Sequence, residues 1–355
     1  MKKIYNKNKL AFTLIELLVV IAIIGILTAL AVVSLQNSRR SARDAKRLSD
    51  VKQIQIALEL YYQDNNSYPP TLLPGETLSS NTITYMETIP YPPTTLDGDC
   101  STTSYIYSTS NDYTYYNIHF CISNNIGSLP AGEVVASPRG LGTWTCGERL
   151  LDDRDNQSYA TVQIGSQCWM QENLNYDNGC TSKDYSSSTD FGWCGCYKDL
   201  ENNCDIYGKL YQQNAVRNGE TGEEIQGICP DDWHVPTDNE WKILEMYLGM
   251  SQAQADGYNW RGTNEGSKLA GNELLWVGTS ALEIDPSFGS SGFNALPAGD
   301  KDISGNYYNL RSHVFFRTSS SYYHELYSGY ATIYRSFGSQ GFDVYGISVR
   351  CIKNN

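Results

Sequence analysis

Ala11-Phe12-Thr13-Leu14-Ile15-Glu16-Leu17-Leu18-Val19-Val20-Ile21-Ala22-Ile23-Ile24-Gly25-Ile26-Leu27 decides the first third of this chain. Of the 22 residues from Phe12 to Val33, only Thr13, Glu16, Gly25 and Thr28 are not apolar. At about 1.5 Å per residue they form a helix of roughly 33 Å, enough to cross a hydrocarbon core of about 30 Å. A carboxylate inside such a helix costs on the order of 2–3 kcal/mol, so Glu16 calls for a function. The preceding Met1–Ala11 carries Lys2, Lys3, Lys7 and Lys9 and no acid, which keeps it on the cytoplasmic side. A secretory signal would have a shorter apolar run and a small-residue cleavage site after it. Here the small residues lie within the run.

The Phe-Thr-Leu-Ile-Glu at 12–16 resembles the N-terminus of type IV pilins and pseudopilins. The resemblance implies a membrane peptidase that cuts between Ala11 and Phe12 and methylates the new amine. The family has Gly where this chain has Ala11. It also implies that Glu16 pairs with the Phe12 amine of a neighbouring subunit on assembly. In a low-dielectric filament core that pairing turns a costly buried carboxylate into a register device. The implied partners are other pilin subunits, the prepilin peptidase with its assembly machinery, and the cytoplasmic membrane before assembly. The implied location is a single-pass membrane precursor and then an extracellular pilus.

Beyond the apolar run, no Gly or Pro interrupts Leu35–Asn65. Ala42, Ala45, Leu48, Val51, Ile54, Leu58 and Tyr61 keep helical spacing. Pro69-Pro70 ends the element. The expected organisation is therefore a leader over 1–11 and one helix over 12–66, with 12–34 as the membrane or filament core. A head over 67–139 and a linker over 140–145 follow. Tyr105-Ile106-Tyr107 and Tyr113–Phe120 read as two strands around Asn111-Asp112, with Cys100 and Cys121 placed to join across them. The Asp97-Gly98-Asp99 turn is read as solvated, with a calcium loop as the alternative. His119 and His234 are read as structural.

Ten cysteines, at 100, 121, 146, 168, 180, 194, 196, 204, 229 and 351, all follow the apolar run, as expected for disulfides in an exported head. The formal charge is −13, and loss of the leader lysines makes it more acidic. That argues against nucleic acid as a partner.

After Ala136-Ser137-Pro138-Arg139-Gly140-Leu141-Gly142 the composition changes, and all seven tryptophans lie from Trp144 onward. Several motifs stand in order there: Thr161–Gly165, Cys168-Trp169-Met170, Tyr207–Tyr211, Gly227–Pro230, Trp233–Thr237, Ser291–Phe293, Leu296–Gly299 and Ser348–Cys351. Over 146–353 the chain resembles the Fibrobacter-type major paralogous domain, itself similar to C-type-lectin-like and formylglycine-generating folds. The fold class is then α+β: a long pilin helix with a small antiparallel sheet, followed by a disulfide-rich lectin-like domain. Thr237-Asp238-Asn239-Glu240 reads as a capping box opening a short helix. Cys229 with Cys351 and Cys146 with Cys168 are the expected bridges. Cys180, Cys194, Cys196 and Cys204 read as two loop disulfides of unassigned pairing, against a four-thiolate zinc site.

No copper-binding cysteine pair, phosphate loop, nucleophile elbow or zinc-protease motif is found, so no enzyme, metal or cofactor is expected. The Tyr-rich segment with Tyr322, Tyr323, Tyr327, Tyr330 and Tyr334 is the candidate ligand surface, for a surface glycan or protein. The chain contains 27 tyrosines, so filling of half-exposed strands is the competing reading. The function expected is a minor or decorated type IV pilin that displays a lectin-like module for adhesion. The alternatives are a pseudopilin of a secretion or DNA-uptake machine and, against the missing motif, a tethered enzyme of the formylglycine-generating type.

Overall fold

Helix α1 runs without a break from Leu14 to Asn65, straight through Ala31–Ser34, where no proline intervenes. It stops where Asn66 turns left-handed at φ 53° and donates its amide back to the Tyr62 carbonyl at 2.7 Å. The computed structural model describes residues 14–81, 83–98, 100, 102–182, 185, 192–278, 281–338 and 342–354. They divide into two compact units, 14–107 with 113–143, and 144–354 with 108–112.

In the first unit, strands β1 (Leu78–Ser80) and β2 (Ile83–Met86) pair as a ribbon. β3 (Ile106–Thr109), β4 (Tyr116–Ile122), β5 (Gly132–Ser137) and β6 (Gly140–Gly142) form a sheet in that order. Val51, Ile54 and Leu58 of α1 are buried in one core with Tyr116, Ile118, Phe120, Val134 and Ala136 of that sheet. The linker expected at 140–145 begins as structure instead. Gly140–Gly142 pairs back on Val135–Ser137 through a two-residue turn, which Gly140 permits at φ 126°. Pro138, which reads as a boundary marker, is the corner of that hairpin.

The polar part of the same core is a clamp. Arg47, 2% exposed, donates to Asp44 at 2.8 Å and to the Thr95 carbonyl at 2.8 Å. Asp44 accepts from the Ser123 amide at 3.0 Å and from Asn124 at 2.8 Å. Arg43 grips Asp97 with two bonds, of 2.6 and 2.5 Å, and holds its carboxyl below the usual range. Asp97 thus serves the Arg43–Arg47 pair, while Asp99 lies outside the described residues. Arg43 and Arg47 are the residues that fix the helix to the loops beside its sheet.

The second unit opens with the hairpin β7 (Leu150–Asp152) and β8 (Gln157–Tyr159), turning at Asn156 in the left-handed region, φ 59°. Next come β9 (Thr161–Ile164), β10 (Gln167–Met170), β11 (Cys194–Gly195), α2 (Glu201–Tyr207), β12 (Leu210–Tyr211), α3 (Gln213–Arg217) and β13 (Trp233–His234). The helical centre is α4 (Asp238–Leu248), then α5 (Gln252–Ala255), β14 (Asn259–Arg261) and α6 (Glu265–Leu269). The closing strands are β15 (Asp300–Lys301), β16 (Tyr307–Tyr308), β17 (His313–Arg317), β18 (Tyr322–Tyr327), β19 (Ile333–Phe337), β20 (Ile347–Ser348) and β21 (Ile352–Lys353). Seven strands make one sheet in the order β11-β12-β20-β17-β18-β19-β14, so the last part of the chain supplies its centre.

α4 starts at the capping box: Thr237 accepts from the Glu240 amide, and Glu240 accepts from the Thr237 amide at 2.8 Å. Its Trp241 packs against Trp169, Phe293 and Phe316, all fully buried. Five disulfides are formed: Cys100–Cys121, Cys146–Cys168, Cys180–Cys194, Cys196–Cys204 and Cys229–Cys351. The last clips the β13 segment to the end of the central strands, across 122 residues.

Candidate functional site

Two surfaces stand out from what a soluble fold needs, one in each unit. The first is the apolar half of α1. Leu14 is 79% exposed and Val20 43%, and the apolar residues stay exposed up to Leu35. The helix is long and apolar enough to cross a membrane, with Glu16 in its first turn. Exposure of this kind has a physical meaning only if lipid or other helices cover it. Ala11 and Phe12, the expected processing residues, lie outside the described residues.

The second surface is the outer face of the seven-stranded sheet. Side chains alternate along β18, so Tyr323, Glu325 and Tyr327 share one face while Tyr322, His324 and Leu326 share the other. Register then builds rows across strands. Phe315 of β17 lies opposite Glu325, Glu325 opposite Tyr334 of β19, and Tyr334 opposite Trp260 of β14. Beside that row, His313 lies opposite Tyr327 and stacks on it at 4.2 Å. Trp260 touches Tyr330, Tyr334 and Tyr327 at centroid distances of 4.7, 5.2 and 6.2 Å. Tyr323 stacks on Phe342 at 4.0 Å.

Four of the five expected tyrosines therefore come together. Tyr322 does not: it faces the opposite way, where it covers the Arg335 guanidinium and hydrogen-bonds Tyr258 at 3.3 Å. Glu325, from within the Tyr-rich stretch, and Trp260, His313, Phe315 and Phe342, from segments outside it, complete the face. Their available signal was alternation: Phe315-x-Arg317 and Tyr323-x-Glu325-x-Tyr327 are period-two patterns.

Glu325 is the chemical centre of this face. It is 9% exposed, and burial, with repulsion from Asp300 added, pushes its carboxyl up to about 7. Its nearest cationic candidate is His313 Nε2, at 3.6 Å. Burial lowers the His313 imidazole to about 4, so it is neutral at pH 7 and gives Glu325 no counter-charge. No described residue comes within hydrogen-bonding distance of the Glu325 carboxylate.

The core side of the same strand carries a buried charged network, in which His324 Nε2 and Trp241 Nε1 are left without a hydrogen bond. His324 Nδ1 lies 2.7 Å from Glu245, and Trp241 stacks on the His324 ring at 4.7 Å. Arg335 donates two bonds, of 2.6 and 2.7 Å, to Asp238. Burial alone would raise the Asp238 carboxyl, but Arg335 and His324 hold it below the usual range. This network pins β18 and β19 to α4 and so fixes the outer row.

Other expected residues have structural positions. His234 bridges Glu240 at 2.8 Å and Asn354 at 2.7 Å, tying the cap of α4 to the chain end. His119 lies 2.6 Å from Glu133 on the neighbouring strand. Cys180, Cys194, Cys196 and Cys204 are consumed in two bridges, so they do not form a four-thiolate zinc site.

Comparison with known families matches residues 6–32 to the prokaryotic N-terminal methylation motif and residues 162–353 to the Fibrobacter succinogenes major domain. No curated protein and no solved structure matches the chain. The methylation motif belongs to precursors that prepilin peptidase machinery handles and that assemble into pili, and the exposed apolar helix fits a membrane-anchored precursor. The chain belongs to the Fibrobacter succinogenes major domain family, carried behind the N-terminal methylation motif of a type IV pilin-like precursor.

Proposed function

We propose that the chain is a type IV pilus subunit that carries its C-terminal domain outside the cell as a binding module. The observation that carries this reading is the unbroken helix with exposed apolar side chains from Leu14 to Leu35, most of which lies within the methylation motif matched over 6–32. Cleavage between Ala11 and Phe12 frees an amine that a neighbour's Glu16 accepts as its partner in the filament. The domain over 146–353 then acts in adhesion, as a non-enzymatic module, through the aromatic face around Glu325. Its disulfides suit an oxidising exterior. A domain of this size on every subunit would crowd a packed filament, so the subunit is a minor or decorating one.

Immunogold electron microscopy of intact cells, with an antibody against residues 146–353, tests this. Gold on filaments outside the cell is expected. Gold confined to the cell envelope would contradict the proposal and favour a pseudopilin.

A further inference from the structure

We infer that Arg39 and Arg40 hold the phosphates of anionic phospholipids at the outer surface of the membrane before assembly. The inference rests on the reading of the chain as a membrane-anchored pilin precursor, and it names a lipid partner for that stage.

Height along α1 comes first. The run of exposed apolar side chains from Leu14 to Leu35 spans roughly 33 Å, which matches a hydrocarbon core of about 30 Å. Arg39 and Arg40 follow Leu35 within about 6–8 Å along the axis, at the depth of the lipid headgroups. Direction comes next. Arg43 lies four residues after Arg39 and three after Arg40, so the three share one side of the helix. Arg43 is the residue that grips Asp97 of the head. Arg39 and Arg40 therefore stand on the head side of α1, one turn nearer the membrane. Leu96, beside Asp97, is 57% exposed and gives that end of the head an apolar side chain as well.

Charge is the second, independent observation. The carboxylates of the clamp one turn above are already taken, Asp97 by Arg43 and Arg47, and Asp44 by Arg47, Ser123 and Asn124. Arg39 and Arg40 make no hydrogen bond or ion pair among the described residues. A chain of formal charge −13 thus leaves two adjacent guanidiniums unmatched at the one height where phosphates are plentiful. A guanidinium binds a phosphate through two parallel hydrogen bonds, and attraction to anionic lipid adds to it. Headgroup depth assigns the phosphate to a lipid rather than to the solvent.

The test takes the full chain, extracted from membranes in mild detergent, and counts retained lipid by native mass spectrometry after addition of phosphatidylglycerol or phosphatidylcholine. Phosphatidylglycerol should be retained in preference. The double substitution Arg39→Gln and Arg40→Gln should lower its retention about tenfold, to the phosphatidylcholine level. Lys52→Gln, at an exposed lysine three turns higher on α1, should leave it unchanged. Circular dichroism of the double variant checks that the helix is kept. Equal retention of the two lipids by the unsubstituted chain, or phosphatidylglycerol retention that survives the double substitution, overturns the inference. Recovery of the chain in the cytosol would instead overturn the reading on which it rests.

Discussion

The two units hold themselves together by different means. The N-terminal unit hangs a small sheet on one 52-residue helix and secures it with a buried ion clamp, Asp44–Arg47–Asp97–Arg43, and one disulfide. The C-terminal unit has no described helix longer than 11 residues, uses four disulfides, and centres on stacked aromatic rings. The difference follows from what each must do. A helix that leaves a membrane for a filament must keep its grip on its head by directional contacts along one side. A domain built from short strands and loops has little regular structure to resist opening, so covalent links supply it.

The contrast can be broken from either side. The largest effect is expected from the double substitution Cys229→Ala and Cys351→Ala, which reopens a 122-residue loop. By chain entropy this costs about 4–5 kcal/mol, and it should lower only the melting transition of the C-terminal unit in scanning calorimetry. Arg47→Ala should cost about 3 kcal/mol, because it leaves the buried Asp44 without its cation, and should lower only the transition of the N-terminal unit. If either change moves both transitions equally, the two units are not separate cooperative blocks.

Glu325→Gln sharpens the comparison by locating strain within the C-terminal unit. Folding raises the Glu325 carboxyl from its ordinary range to about 7, so the folded state holds its proton longer than the unfolded chain. Stability should therefore fall as pH rises from about 4.5 to about 7 and level off above. Glu325→Gln removes that fall and should gain on the order of 2 kcal/mol at pH 8 and little at pH 4. Urea unfolding at the two pH values measures this. The smallest effect is expected of Thr237→Ala, which loses the cap of α4 for about 1 kcal/mol.

Sequence alone goes far where local rules operate. The α1 span, its end before Pro69, the capping box at Thr237 and the joining of Cys229 to Cys351 all follow from nearby residues or from an ordered motif. What escapes is register. Nothing in Ser319–Tyr334 says which tyrosines share a face, and Tyr322 falls on the wrong one. Trp260 reaches Tyr334, 74 residues later, only through the pairing of β14 with β19. Likewise Asp97 reads as a solvated turn until the sheet brings it to Arg43, more than 50 residues earlier. The pairing within Cys180, Cys194, Cys196 and Cys204 also depends on a loop path that spacing does not fix.

A chain processed and assembled as a pilin carries the record of that in its mature N-terminus. Mass spectrometry of protein sheared from the cell surface should find a chain that starts at N-methylated Phe12. A surface-sheared chain that keeps Met1–Ala11, or that begins beyond Leu35, would contradict the account.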